Sequence, residues 1–215
     1  YAYTAGRGPV IIFLPGYLSD MDGSKALALE GWARAQGRAM LRLDYAGCGR
    51  SDGDLSTATL TGWRDDVLHL IDTVTDGPLL LVGSSMGGWL MLLVAQARPE
   101  RVAGLVGIAA APDFTDWGYD DAQKETIARD GVLLLPNQYG PEPTPVTRPF
   151  WQSGQDNLLL GQSIAIDVPV VLLQGQCDPD VPWETALRLS AALRSAQVQV
   201  HLIKDGDHRL SRDRD

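Results

Sequence analysis

The chain has 215 residues, of which 45% are hydrophobic and 21% are charged, a composition typical of one globular domain with a substantial core. Its formal net charge of −9 argues against nucleic acids and anionic membranes as partners. The two cysteines, Cys48 and Cys177, form neither a disulfide framework nor a metal-ligand pattern, which favours a reducing cytoplasm. We therefore expect a single domain over 1–215.

The ends of the chain carry no targeting signal that we recognise. No apolar run reaches transmembrane length, and the N-terminus lacks the basic and then apolar pattern of a signal peptide. We predict a cytoplasmic protein without a membrane span. Since the chain begins almost inside a strand and stops seven residues after His208, we also expect that it has been clipped at both ends.

The first part of the chain alternates strands and helices. A β-branched run at 10–14 predicts a buried strand, which ends at Pro15 and Gly16. Residues 22–37 predict a helix, and 39–43 predict the next strand. The turn-rich loop at 44–53 follows, and we expect it to support a site without taking part in its chemistry.

The middle of the chain contains the most informative motif. An amphipathic helix over 60–74 precedes a strand at 79–82, and a buried helix over 86–97 follows. Between this strand and helix lies Gly83-Ser84-Ser85-Met86-Gly87, which fits the Gly-x-Ser-x-Gly pattern of a nucleophile elbow. The glycines allow a turn tight enough to hold Ser85 in a strained conformation at the carboxyl edge of the sheet.

Another strand is predicted at 102–109, and then the alternation stops. The segment 112–166 is rich in proline and predicts one modest helix, around 121–129. Insertions of this length are usually functional, so we interpret the segment as a cap over the strand ends. An irregular surface excursion is the alternative. The apolar content of the cap suggests an acyl pocket lined by Trp117, Leu134 and Trp151.

The last part of the chain supplies two more strands, at 168–173 and 198–203, with a helix over 183–194 between them. Alternating strands and helices predict an α/β fold with a mostly parallel central sheet and helices on both faces. No internal repeat or low-complexity segment interrupts this pattern.

A serine nucleophile needs a base and a carboxylate that orients the base. Of the three histidines, His69 lies on an amphipathic helix and His201 on the polar face of a strand, so both read as surface residues. His208 follows the last strand and can reach back to Ser85, and we predict that it is the base.

Asp178, in the loop after the strand at 168–173, is the predicted acid. Asp180, two residues on, and Asp113, after the strand at 102–109, are the competing carboxylates, and helix capping or solvation would account for either of them if it is not the acid. A cysteine nucleophile is a remote alternative, because neither Cys48 nor Cys177 lies in an elbow.

The tetrahedral intermediate needs two donors for its oxyanion. We predict that these are the backbone N–H groups of Met86, directly after Ser85, and of Tyr17, in the loop that Gly16 allows to turn inward.

These motifs resemble the α/β-hydrolase superfamily. The similarity is greatest to the family of mitochondrial α/β-hydrolase-domain enzymes described as acyl-glucuronide esterases and palmitoyl-protein thioesterases. It rests on Phe13-Leu14-Pro15-Gly16-Tyr17, Asp44-Tyr45-Ala46-Gly47, Val82-Gly83-Ser84-Ser85, Ala97-Arg98-Pro99-Glu100, Val181-Pro182-Trp183 and Asp207-His208-Arg209. The resemblance implies an α/β-hydrolase fold with a short cap and a triad that matches Ser85, Asp178 and His208.

We expect that the clipped chain lacks the family's final helix. The sequence itself departs from the family in two ways, since the cap is the least similar part and Gln174 stands where relatives often have histidine before the glycine. These departures leave open which acyl group the enzyme prefers.

The sequence thus predicts a serine hydrolase that cleaves carboxylic esters or thioesters with an apolar acyl group. We expect a small-molecule or acylated substrate and neither metal nor organic cofactor, and the oligomeric state stays open. Two alternatives remain. One is a ligand-binding protein of the same fold without catalysis, and the other is the same triad acting on amide, peptide or carbon–carbon bonds.

Overall fold

The architecture is that of a computed structural model, which describes residues 1–137 and 140–212. Within these residues the strands are β1 (Ala2–Thr4), β2 (Arg7–Leu14), β3 (Arg38–Arg42), β4 (Leu79–Ser84), β5 (Val102–Ile108), β6 (Val132–Leu135), β7 (Thr144–Thr147), β8 (Val170–Gly175) and β9 (Val198–Ile203). The α-helices are α1 (Ser24–Ala35), α2 (Leu60–Val74), α3 (Met86–Ala97), α4 (Phe114–Trp117), α5 (Asp121–Asp130), α6 (Arg148–Gln155) and α7 (Glu184–Ala192).

Seven of the strands form the central sheet, in the order β1-β3-β2-β4-β5-β8-β9. Every neighbouring pair is parallel except β1 and β3. The prediction of a mostly parallel sheet is confirmed. This arrangement determines where the loops that follow the strands lie. Because parallel strands end at one edge, the loops after β2, β4, β8 and β9 meet there.

The predicted elements agree with the structure except at their ends. The edge strand β1 was not predicted, because three residues are too short to show an alternating pattern. Strand β8 begins at Val170 and runs to Gly175, whereas the prediction was 168–173. Its last residues include the polar Gln174, which interrupts the apolar run and looks like the start of a loop.

Both faces of the sheet are covered by helices. Successive side chains of a strand point to opposite faces, so Ile12 and Leu14 pack against α2 and α3. Ile11 and Phe13 face the other way, toward α1. On this second face an apolar groove of about 520 Å³ lies between α1 and Leu210.

The segment 112–166, for which we keep the predicted name of cap, contains more regular structure than the sequence predicts, although its residues 138–139 lie outside the described part. Helix α5 is confirmed, but α4, α6 and the β6–β7 hairpin were not predicted. Helix α6 follows a recognisable start, since the side chain of Thr147 accepts a hydrogen bond from the N–H of Phe150 and Pro149 occupies the first turn. Its eight residues are too few for a clear periodicity.

Polar contacts fasten the inner part of the cap to the rest of the protein. Nε1 of Trp89, on α3, donates to the carbonyl oxygen of Asn157 at 3.1 Å. The N–H of Thr61, on α2, donates to Oγ of Ser153 at 3.1 Å. The carboxylate of Asp113 accepts the N–H groups of Leu159 at 2.8 Å and Leu160 at 2.7 Å. Asp113 thereby ties the start of the cap to its end.

Among the described residues, none of the helices combines the length and the apolar character needed to cross a bilayer.

Candidate active site

The turn between β4 and α3 holds Ser85 in a strained conformation. Its backbone has φ 54° and ψ −122°, which L-residues rarely adopt. Two hydrogen bonds fix the turn to the end of β5, because the N–H of Ser85 donates to the carbonyl oxygen of Ile108 and its own carbonyl oxygen accepts from Ala111. These hydrogen bonds to the neighbouring backbone therefore hold Ser85 in its strained conformation.

The positions of the two elbow glycines beside Ser85 leave no room for a side chain. A Cβ on Gly83 would lie 2.3 Å from the carbonyl oxygen of Gly87, and a Cβ on Gly87 would lie 2.0 Å from the carbonyl oxygen of Leu14. Both distances are far below van der Waals contact. The two glycines that the elbow pattern specifies are thus the ones that allow β2, β4 and α3 to approach each other.

The structure brings together the three side chains that the sequence selected. Nε2 of His208 lies 3.1 Å from Oγ of Ser85, and Nδ1 of His208 lies 2.9 Å from Oδ2 of Asp178. The side chain of Asp178 is fully buried, whereas that of His208 is 15% exposed. A hydroxyl, an imidazole and a carboxylate that are distant in sequence therefore form one hydrogen-bonded chain.

The carboxylate of Asp178 stays ionised despite its burial. Burial raises its pKa, but the hydrogen bond and charge of His208 and the N–H groups of Val181 and Asp180 outweigh burial and hold the pKa below its ordinary value. Oδ1 accepts both N–H groups at 2.9 Å. An ionised carboxylate in this position can orient the imidazole and stabilise its protonated form.

Of the two competing carboxylates, Asp180 lies beside Asp178 and His208, whereas Asp113 lies in the cap. Asp180 is exposed and contributes its backbone N–H to Asp178, and Asp113 binds the backbone of the cap. His69 and His201 are exposed, as the sequence predicts. Cys48 is buried, whereas Cys177 is exposed and its thiol donates to the carbonyl oxygen of Lys204.

The two predicted oxyanion donors flank Ser85. Met86 is the first residue of α3, so its N–H belongs to the positive end of a twelve-residue helix. Gly16 passes so close to Ser85 that a Cβ on Gly16 would lie 3.3 Å from the Ser85 Cβ. Tyr17 follows Gly16 directly in this loop. The roles of both N–H groups remain predictions.

A web of aromatic rings lies between the loop after β2, helix α2 and the cap. The ring centroids of Tyr17 and Phe150 are 4.6 Å apart, and those of Trp63 and Phe150 are 5.2 Å apart. Phe114 joins this web to Trp89, on α3, at 5.8 Å. Each such pair contributes about 0.5–1.5 kcal/mol beyond burial of its area. The web therefore connects the cap to the elbow helix α3 through direct ring contacts.

Of the three residues predicted to line an acyl pocket, two have side chains anchored within the cap and one has an exposed side chain. Nε1 of Trp117 donates to the carbonyl oxygen of Pro112, and Nε1 of Trp151 donates to that of Thr115, so both indoles are anchored within the cap. Leu134, on β6, is 60% exposed. Their contact with an acyl group remains a prediction, to which the exposure of Leu134 gives no support.

Sequence reasoning did not assign three residues to the site, although it singled out Gln174 as a departure from the family. Phe150 and Trp63 are almost fully buried in the aromatic web, and Gln174 donates a hydrogen bond to Asp178. The helical spacing of Trp63 indicates burial but not its partners. A polar residue at the end of an apolar strand was the available signal for Gln174.

The same loops bring Asp178, Asp180 and His208 together, with one possible ligand atom from each within 4.8 Å of the others. A metal ion there would have to displace the hydrogen bond between His208 and Asp178. The donor set is therefore explained by that bond, and we assign no metal to it.

Comparisons with known proteins identify the family of this chain. The family model of the α/β-hydrolase fold matches residues 9–135. Human mitochondrial palmitoyl-protein thioesterase ABHD10 is 42% identical over 214 residues, which cover 98% of this chain and 70% of the human protein.

Solved structures give the same result. Mouse α/β-hydrolase domain-containing protein 10 superposes with a TM-score of 0.91 at 41% identity, covering 99% of this chain and 87% of the mouse chain. A putative hydrolase from Agrobacterium vitis S4 has a TM-score of 0.93 at 37% identity, covering 99% and 86%. This chain belongs to the α/β-hydrolase family, among the relatives of ABHD10.

Proposed function

We propose that the protein is a serine hydrolase that cleaves carboxylic esters or thioesters through a covalent acyl-enzyme, with Ser85 as the nucleophile. The observation that carries this proposal is the continuous chain of hydrogen bonds from Ser85 through His208 to Asp178, at 3.1 Å and 2.9 Å. The strained backbone of Ser85 supports the assignment, because strain at a non-glycine residue concentrates at functional sites.

In the first half-reaction, Oγ of Ser85 attacks the carbonyl carbon of the substrate while its proton passes to Nε2 of His208. A new C–O bond forms, and the electron pair of the carbonyl double bond moves onto the oxygen. The N–H groups of Met86 and Tyr17 stabilise this oxyanion, each contributing about 3 kcal/mol. When the intermediate collapses, the bond to the leaving alcohol or thiol breaks, and His208 returns the proton to it.

In the second half-reaction, a water molecule replaces the leaving group. His208 takes a proton from the water, whose oxygen attacks the acyl carbon, and then protonates Oγ of Ser85 as the acid is released. Asp178 stays ionised throughout and stabilises the imidazolium. Apart from the substrate and water, these steps use only groups of the protein, so we propose that no metal or organic cofactor takes part.

The acyl group in this proposal is apolar. Two close relatives, from human and mouse, are named palmitoyl-protein thioesterases, which supports a long acyl chain carried by a protein or a small molecule. We propose that the acyl group contacts three side chains of the cap, those of Trp117, Leu134 and Trp151. A cytoplasmic location also remains proposed, and because the named relatives are mitochondrial, fractionation of the native cells would test it.

A fluorophosphonate probe tests the nucleophile directly, because it forms a covalent bond only with an activated serine. The wild type should be labelled, and Ser85→Ala should not. Ser84→Ala is the matched control, since it removes the hydroxyl of the preceding residue and should leave labelling intact. Equal labelling of Ser85→Ala and the wild type would refute the proposal.

A substrate panel separates the alternatives. Thioesters, esters and amides of increasing acyl length should be compared, with Ser85→Ala as the blank. Preferential turnover of thioesters and esters with long acyl groups supports the proposal. Turnover of amides alone would favour the peptidase-like alternative, and binding without turnover would favour a ligand-binding protein.

A further inference from the structure

Gln174 contacts the acid of the proposed triad from a buried position. It is the penultimate residue of β8 and is only 1% exposed. Its Nε2 donates to Oδ2 of Asp178 at 2.9 Å, and this is the same oxygen that hydrogen-bonds to Nδ1 of His208. Gln174 therefore acts on the carboxylate at the atom that faces the imidazole.

The surroundings determine which end of the Gln174 amide is the nitrogen. Besides Asp178, the carbonyl oxygens of Val181 and Gly175 lie 3.3 Å and 3.4 Å from Nε2. An amide oxygen in that place would face three acceptors, so the reversed orientation is excluded. The amide must therefore donate to Asp178.

The other end of the same amide is unsatisfied. Among the described residues, Oε1 of Gln174 is buried and has no hydrogen-bond partner. A buried acceptor without a partner typically costs about 1–3 kcal/mol, and the hydrogen bond that Nε2 donates to Asp178 offsets part of that cost. Packing alone does not explain a glutamine here, whereas a donor aimed at Asp178 does.

We propose that Gln174 is a positioning residue, which holds the Asp178 carboxylate in place and limits its strength as an acceptor toward His208. This inference rests on the proposed function. The N–H groups of Val181 and Asp180 fix Oδ1, and Gln174 shares Oδ2 with His208. Without Gln174, Oδ2 interacts with His208 alone and attracts the imidazolium more strongly. The base then gives up its proton less readily.

The charged groups around His208 come from three elements. Asp178 and Asp180 lie in the loop after β8, and Asp207 and Arg209 flank His208 in its own loop. Lys25, from α1, donates to the carbonyl oxygen of Arg209 at 2.7 Å. A substitution at Gln174 leaves all of these groups in place, so a change in the pH profile would report on the bond to Asp178.

The test compares Gln174→Met and Gln174→Glu with Gln176→Met, the same exchange two residues further on. Gln176 is partly exposed, and none of the described hydrogen bonds to Asp178 comes from it. For Gln174→Met we expect a kcat about tenfold lower, an unchanged KM, and an acid limb of kcat/KM displaced to higher pH. The melting temperature should fall by no more than about 2–4 °C, the shift expected for one lost hydrogen bond in a protein of this size.

Gln174→Glu keeps a donor only while its carboxyl group is protonated. We therefore expect an additional loss of kcat/KM on the alkaline side, where two carboxylates would face each other. Gln176→Met should keep the wild-type profile. The proton resonance of His208 Nδ1–H provides a second readout, since it should move in Gln174→Met and stay in place in Gln176→Met.

Two outcomes would overturn the inference. One is a wild-type kcat and pH profile in Gln174→Met, and the other is a loss of activity that follows the melting temperature while the profile stays unchanged. Either result, together with Ser85-dependent turnover in the wild type, overturns the role of Gln174 alone. Turnover that survives Ser85→Ala overturns the proposed function as well.

Discussion

The phenol of Tyr17 donates a hydrogen bond of 2.8 Å to the carbonyl oxygen of Pro145, across 128 residues of the sequence. Pro145 lies on β7 of the cap, and the backbone of Tyr17 supplies a proposed oxyanion donor. Burial is the main cause that raises the pKa of this phenol far above its ordinary value, so it remains a donor at any physiological pH. One side chain thus connects the cap to the loop beside Ser85.

Tyr17→Phe removes this hydrogen bond and leaves the ring in place. We expect kcat to fall about fivefold because the oxyanion loop loses its anchor, and the free energy of unfolding to fall by about 1 kcal/mol. Ester turnover and urea unfolding measure the two effects. Tyr3→Phe, on the exposed edge strand, is the control and should change neither quantity. Unchanged turnover in Tyr17→Phe would show that the cap does not position the loop.

Gly87→Ala should disrupt the elbow. The new Cβ would lie 2.0 Å from the carbonyl oxygen of Leu14, and the backbone cannot move there without separating α3 from β2. We expect a loss of several kcal/mol in unfolding free energy, beyond the roughly 1–3 kcal/mol of ordinary overpacking, and loss of fluorophosphonate labelling.

The matched control for this exchange is Gly31→Ala. Gly31 lies within α1, and a Cβ there would meet nothing within 4 Å. Alanine is the better helix former, so Gly31→Ala should stabilise the protein by about 0.5–1 kcal/mol and leave labelling unchanged. If both variants behaved alike in urea unfolding, close approach at the elbow would not be the reason for Gly87.

The sequence was sufficient to predict the residues whose position depends only on the strand that they follow. Short apolar runs specify the parallel strands, and parallel strands bring their following loops to one edge. Ser85, Asp178 and His208 each follow such a strand, which is why their meeting was predictable without knowledge of any contact. The two elbow glycines follow from the same geometry.

The cap and its contacts could not be predicted in this way. Helix α6 and the β6–β7 hairpin are short, and their stability comes from packing of Phe150 and Val146 rather than from periodicity. The partners of Tyr17 in the aromatic web are distant in sequence, so no local pattern reveals them. The same is true of Gln174, whose role depends on the conformation of the following loop.

The two cysteines should differ in reactivity. Burial, with the charges of Asp44 and Asp66, raises the pKa of the Cys48 thiol to about 11, whereas Cys177 is exposed. Because the thiolate is the reactive form, iodoacetamide at pH 8 should modify Cys177 and spare Cys48 in the folded protein. Mass spectrometry would show one adduct, two in urea and none in folded Cys177→Ser. Rapid modification of Cys48 would contradict its burial.

Neither cysteine is expected to be the nucleophile. Cys48→Ser and Cys177→Ser should therefore both retain turnover, and loss of turnover in either variant would contradict this.

Asp178 and Asp113 should affect stability with opposite dependence on pH. Hydrogen bonds lower the pKa of Asp178 from its ordinary value of 3.8 even though burial opposes them. Its unfolded form therefore takes up a proton first on acidification. The stabilisation by Asp178 is present above about pH 4 and is lost as the pH falls through the folded-state pKa. Burial is the dominant cause at Asp113 and raises its pKa, so its contribution is largest below 3.8 and declines as the pH rises.

Comparison with Asp178→Asn and Asp113→Asn isolates these two contributions from those of the other carboxylates. Urea unfolding between pH 3 and 7 gives the free energy of each protein. The advantage of the wild type over Asp178→Asn should shrink as the pH is lowered. The free energy of unfolding of the wild type relative to Asp113→Asn should instead increase as the pH is lowered from 7 to 3. If the advantage over Asp178→Asn also grew as the pH was lowered, burial rather than hydrogen bonding would control the Asp178 carboxylate, and Asp178 would then not be held ionised for His208.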